Sequence, residues 1–240
     1  KMPVTYMQNA IVHNGCNIRL ALSKQLKEFM KKEYGIDDNF LNLSNPIFEN
    51  ITSIKQIKLY PPDAKGECRC IVIYEVKERV KKEDNGNYLS IDLGLNNLMT
   101  CYSNVSGETF IVGRMYFSIE RKYLKEIERV QSKWYCDQNK KGVLYPKSSK
   151  HIKRLYEKKN NSSSDYLHKI TREVINYCEK NSINTIIVGD ITGLREDFNK
   201  GEVINQKMHS LPFKKLVDML TYKAEDAGLS VICQKEYYTS

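Results

Sequence analysis

Two aspartates sit at the ends of short apolar runs. Asp92 lies in Ser90-Ile91-Asp92-Leu93-Gly94, and Asp190 closes Thr185-Ile186-Ile187-Val188-Gly189-Asp190. A third acid, Glu236, comes after the apolar stretch Leu229–Cys233. An acid at a strand end often does no more than form a turn or cap a helix. Asp92 is different, because a carboxylate between Ile91 and Leu93 in a buried strand is costly unless a partner meets it. Carboxylate oxygens are hard ligands that suit Mg²⁺ or Mn²⁺. Two such ions, about 4 Å apart, activate water and stabilise the leaving oxygen of a phosphodiester. Asp92, Asp190 and Glu236 are therefore the candidate metal-ligating and catalytic residues. Asn96 and Asn97 are expected to serve the turn after Asp92, and His209 is expected to be structural, at most a phosphate contact.

A phosphodiester substrate is a polyanion, and the charge distribution agrees with one. Lys and Arg exceed Asp and Glu by 38 − 29 = 9 over the 240 residues. Between Ile111 and Asn160 there are 14 basic and 5 acidic side chains, an excess that accounts for all nine. Concentrated positive charge draws a polyanion and makes its binding depend on salt. Arg121, Lys122, Lys125, Arg129, Lys133, Lys150, Lys153 and Arg154 are the candidate nucleic-acid contacts. Tyr123, Trp134, Tyr135, Tyr145 and Tyr156 are interleaved with them and offer rings for stacking on bases, although a Trp facing the core is the commoner case. The seven cysteines are scattered and contain no C-x-x-C pair, so zinc is not expected and reduced thiols in a cytoplasmic protein are. No apolar run is long enough to span a membrane, and the start of the chain has no secretory h-region.

The elements that would hold these residues can be read from periodicity and turn chemistry. Ile18 to Tyr34 has helical spacing and stops at Gly35. Asn39 to Asn50 is rich in turn residues, and Ile54–Tyr60 with Cys68–Val76 predicts a β-hairpin. After the polar stretch Asp84–Asn87, three strands (Tyr88–Leu93, Leu98–Ser103, Thr109–Val112) form an antiparallel meander. A basic helix is predicted over Phe117–Trp134, and a second from Ser149 to Asn181 with a break at Ser162-Ser163-Ser164. A strand over Thr185–Asp190, a polar loop, a helix over Leu211–Ala227 and a strand over Leu229–Cys233 complete the chain. Three antiparallel strands and then α-β-α-β is the order of the RNase H fold, which places the strands of Asp92 and Asp190 side by side. Residues 1–86 are expected to form a partial β-rich module with a helical insertion, and residues 87–240 an α/β, RNase H-like domain with a mixed sheet.

The run Tyr88-Leu-Ser-Ile-Asp-Leu-Gly-Leu-Asn-Asn-Leu-Met-Thr100 resembles the first RuvC motif of the OrfB/TnpB family, transposon-encoded RNA-guided DNA endonucleases related to type V CRISPR effectors. Thr185–Asp190 resembles the second motif. Asn205-Gln206, His209, Pro212-Phe213, Tyr222–Glu225 and Glu236–Ser240 resemble the later segments of many members, so the likeness covers residues 50 to 240. It implies a RuvC-type nuclease with Mg²⁺ or Mn²⁺, a guide RNA and a double-stranded DNA target as partners, with a homodimer among the allowed assemblies. It also implies a prokaryotic, nucleoid-associated cytoplasmic location. The first module becomes a wedge that holds guide RNA, and the helix over 18–34 part of a recognition insertion. Three departures stand out. Gly189 occupies the place where many members carry a catalytic Glu, with Asp190 or Glu236 as substitutes. The zinc ribbon and the last helix, which carries the third catalytic Asp, do not follow within these residues, and the opening strand of the wedge is not expected in them, so the resemblance implies either a sequence incomplete at both ends or a nuclease-dead member. A nuclease-dead RNA-guided binder or repressor, and a guide-independent RuvC-type nuclease, are the alternatives.

Overall fold

The computed structural model describes residues 2–63, 66–76, 79–94, 96–190 and 211–235. The chain divides into two compact units, Lys1–Lys77 and Glu78–Ser240.

The first unit runs β1 (Val4–Met7), β2 (Ile11–Asn14), β3 (Asn17–Ala21), α1 (Lys24–Tyr34), β4 (Phe40–Ser44), β5 (Ser53–Leu59) and β6 (Cys70–Glu75). These strands make two antiparallel three-stranded sheets, ordered β1-β5-β6 and β2-β3-β4. The hairpin expected from residues 54–76 is present as β5 and β6. The helix expected from Ile18 begins only at Lys24, where the Ser23 hydroxyl accepts from the Leu26 N–H. Ahead of it, Ile18 and Leu20 are fully buried between exposed Asn17, Arg19 and Ala21. That period of two belongs to a strand, so the apolar spacing across 18–26 mixes two elements. The turn-rich stretch 39–50 contains β4, and β1 is an opening strand where none was expected. Ile18, Leu20, Ile51, Ile54 and Ile57 form a small core between the sheets.

The second unit runs β7 (Tyr88–Asp92), β8 (Met99–Ser103), β9 (Thr109–Val112), α2 (Tyr116–Lys140), α3 (Lys150–Lys180), β10 (Thr185–Asp190), α4 (Phe213–Asp226) and β11 (Ser230–Lys235). One five-stranded mixed sheet has the order β11-β10-β7-β8-β9. β7, β8 and β9 are antiparallel neighbours, and β10 and β11 run parallel to β7. This is the RNase H strand order that the sequence predicts.

Alternation decides which face is which. Leu89, Ile91, Cys101, Ile186 and Val188 are buried against Leu167, Ile170 and Val174 of α3 and Leu216 and Leu220 of α4. Residues on the other face, among them Asp92, Tyr102, Ile111 and Ile232, are exposed. The stretch before β7 is tied to this unit: Lys82 N–H donates to Gly228 O at 2.8 Å, and the Asn184 amide donates to Glu83 O at 2.7 Å.

α3 is one unbroken helix of 31 residues, so Ser162–Ser164 is no break. Ser163 is buried and donates to Glu120 of α2. Three serines mid-helix weaken intrinsic propensity, and packing against α2 overrides it. No helix among the described residues is long and apolar enough to cross a membrane.

Candidate functional site

The carboxyl ends of β7, β10 and β11 share one edge of the sheet, since the three strands are parallel. Open α/β sheets place their ligands outside such ends. Asp92 is the last residue of β7, opposite Thr100 of β8, and it is exposed. It is therefore not the buried carboxylate that its neighbours suggest: Ile91 and Leu93 face the core and Asp92 faces out. Register refines the pairing further. Val188 pairs with Ile91 as the last pair of the ladder, and Gly189 and Asp92 are the next residues of their strands. Asp190 is one residue beyond and pairs in the backbone with Lys235 of β11. Glu236 and His209 lie outside the described residues. No cluster of three or more His, Cys, Asp or Glu side chains stands close enough to hold a metal among the described residues. Asp92 fits a divalent cation as an exposed carboxylate with no ion pair among the described residues, and Gly189 beside it supplies no ligand.

The turn after Asp92 is tight. Gly94 N–H donates to Asn97 O at 3.2 Å, and a Cβ on Gly94 would come within 3.1 Å of that oxygen. Asn97 also accepts from Arg114 Nε at 3.3 Å, which gives it the turn-supporting role expected of it. Arg114 is exposed at this same edge. It was missed in the sequence because it comes after β9 rather than beside the acidic motif. It reaches the turn because the chain leaves β9 through Gly113, whose φ of 92° and close approach to Leu98 exclude a side chain.

The cations form a second region. α2 and α3 pack as an antiparallel pair around Ile127, Ile152 and Leu155. Between them Glu120 accepts from Lys159 Nζ at 2.7 Å and from Ser163, and the Tyr123 hydroxyl meets Ser162 at 3.0 Å. Burial and the Glu120 charge push the Tyr116 hydroxyl well above its ordinary pKa. Arg121, Lys122, Lys125, Arg129 and Lys133 are exposed on α2 and span an arc of about 120° opposite its buried stripe, at 3.6 residues per turn. None of the five is in an ion pair among the described residues. Lys150, Lys153 and Arg154 are exposed in the first turns of α3. Of the interleaved rings, Tyr123, Trp134 and Tyr135 are half-buried and hydrogen-bonded within the helix pair, which leaves Tyr145 and Tyr156 exposed. Cys101 and Cys178 are buried thiols whose pKa burial pushes up to about 12.

Residues 71–195, just over half of the chain, match the OrfB_IS605 family model, described as a probable transposase. The chain belongs to this family. Three TnpB-like proteins of Acanthamoeba polyphaga mimivirus are similar to this OrfB_IS605 chain, each 22% identical over 164 residues. The match takes in 68% of the chain and 31% of each relative, so the chain spans about a third of their length. A Cas12f1 solved with sgRNA and target DNA superposes over 90% of the chain and 42% of its own length, with a TM-score of 0.58 and 13% identity. That likeness is one of fold, and the second unit has a RuvC-like, RNase H-order sheet.

Proposed function

We propose that this OrfB_IS605 chain binds a guide RNA and, through it, a double-stranded DNA target, and that it cleaves DNA at the edge marked by Asp92. The observation that carries the reading is the exposure of Asp92 at the carboxyl edge of an RNase H-order sheet, without an internal partner among the described residues. Glu120, by contrast, is satisfied internally by Lys159 and Ser163, and Asp92 is open to an external cation. Asp92 would hold Mg²⁺ or Mn²⁺, with Asp190 and Glu236 as the proposed further ligands. The bound ions would supply an activated water and charge stabilisation at the leaving oxygen. The chain's own residues position the substrate. Arg114 offers a guanidinium to a phosphate beside the turn, and the cation arc on α2 with Lys150, Lys153 and Arg154 holds the nucleic-acid backbone.

A specific observation favours a second reading, an RNA-guided binder that does not cut. Gly189, not a carboxylate, is the residue of β10 that follows the Val188–Ile91 pair, as Asp92 follows it on β7. One experiment separates the two. The protein is co-expressed with its native flanking RNA and offered a matched plasmid in Mg²⁺, alongside Asp92→Ala. Cuts that vanish in the variant support the nuclease. Guide-dependent binding without cuts supports the binder, and cutting that survives Asp92→Ala sinks the assignment of the edge. Cutting without any RNA would favour the guide-independent nuclease.

A further inference from the structure

Between α2 and α3 the chain turns through Val143, Leu144 and Tyr145, which are 41%, 83% and 91% exposed. Large apolar side chains so fully in water do nothing for folding. The turn that presents them is nevertheless pinned. Gly142 takes a left-handed φ of 80°, and Val143 N–H donates back to Gln138 O at 3.1 Å. Trp134 Nε1 donates to Lys147 O at 2.9 Å, Tyr135 meets Ser148 at 3.4 Å, and the Ser149 hydroxyl caps α3 through Ile152 N–H. The charge along this tip has one sign. From 138 to 156 the chain carries Lys140, Lys141, Lys147, Lys150, Lys153 and Arg154 and no acid.

We infer that the α2–α3 turn is a stacking tip, with Tyr145 as its platform, for an unpaired or helix-terminal base of a bound RNA. The inference rests on the RNA-binding reading above and adds a site to it. A partner protein surface would face six cations of one short stretch, whereas a polyanion is drawn by them. A base offers the flat face that suits an exposed tyrosine ring, whatever its sequence. RNA is favoured over DNA because a folded single strand presents loops, bulges and helix ends, and long duplex DNA presents paired, stacked bases.

The test uses the full chain and an RNA stem-loop with 2-aminopurine as its unpaired 3′ nucleotide. Stacking quenches this fluorophore. The wild-type chain and Tyr145→Phe are expected to quench it at saturation. Tyr145→Ala is expected to bind about tenfold more weakly, from the loss of one stacked base, and to leave the fluorescence high. Both variants change an exposed side chain, so circular dichroism should show the native fold. If Tyr145→Ala binds and quenches as the wild type does, the tip is not a stacking site and the RNA-binding reading survives. If the wild-type chain does not retain the RNA, both fall. Stronger quenching by a DNA duplex end carrying the same fluorophore, or binding to phosphatidylserine vesicles that Tyr145→Ala abolishes, overturns the assignment to RNA.

Discussion

Glu120 follows Ile119, Asp92 lies between Ile91 and Leu93, and the fold treats the two acids in opposite ways. Glu120 is buried between α2 and α3, where Lys159 and Ser163 donate to it. Asp92 ends a strand and faces out, with no ion pair among the described residues. The contrast separates a carboxylate satisfied inside the protein from one left open to solvent. A charge with partners inside the protein ties its helices together, and a charge left outside is open to a ligand.

The contrast predicts different losses. Asp92→Ala is expected to lower metal-dependent cleavage about a thousandfold or more, since a ligand to the activating cations is worth several kcal/mol in the transition state. The Tm should stay within about 2 °C of the wild type. A large drop in Tm would make Asp92 structural and erase the distinction.

Glu120→Ala should do the reverse. It leaves Lys159 without its partner in a site where the side chains are only 18% and 12% exposed. The expected loss is about 3 kcal/mol, a fall in Tm of roughly 6–12 °C for a domain of this size. The double variant Glu120→Met/Lys159→Met should recover most of it, because replacing a buried ion pair by apolar groups is often near neutral. Thermal unfolding monitored by circular dichroism checks both.

A smaller effect is expected on the basic face. The triple variant Arg121→Ala/Lys125→Ala/Arg129→Ala should bind RNA with a salt dependence shallower by about 2 to 3 in log–log slope, with Tm unchanged. An unchanged slope would mean that the arc only solvates α2.

The smallest effect concerns a buried cation. Lys223 of α4 donates to His168 O at 2.7 Å and to Thr171 Oγ1 at 2.6 Å, and burial, then the nearby Arg172 charge, lowers its pKa below 10.5. The unfolded chain therefore holds this proton more tightly than the folded one. Stability relative to Lys223→Met should rise with pH as the folded pKa is passed on the way to 10.5, and be flat below it. Urea titrations of both proteins across that range measure the difference.

Much of this was legible in the residues. The meander of β7, β8 and β9, the apolar run of β10 and the helix before Gly228 each had their own periodicity or punctuation. The features that were not legible depended on long-range pairing. Ile18 and Leu20 looked helical because Leu22 and Leu26 come after them at helical spacing, yet β2 and β4 hold them as a strand. Ser163 looked like a breaker because its partner Glu120 is 43 residues away. Asp190 looked like the natural neighbour of Asp92; the resemblance already put Gly189 at the place of the usual Glu, and the ladder of β10 on β7, which ends at Val188 opposite Ile91, agrees with it. The exposed cations were legible individually, but their arrangement opposite the buried stripe of α2 needed the helix.

The pairing of β7 with β10 also bears on how the chain folds. Thr185 lies beside Tyr88, with β8, β9, α2 and α3 all between them in sequence. A parallel contact of such separation carries a large loop-closure entropy and forms slowly. The α2–α3 hairpin closes over a shorter separation, 39 and 43 residues from Glu120 to Lys159 and Ser163, and shortens the effective distance, so it is expected to form earlier. The edge that carries Asp92 would then be completed only after β10 has docked, and a chain emerging from the ribosome would acquire its basic helices before the strand that frames its acidic edge.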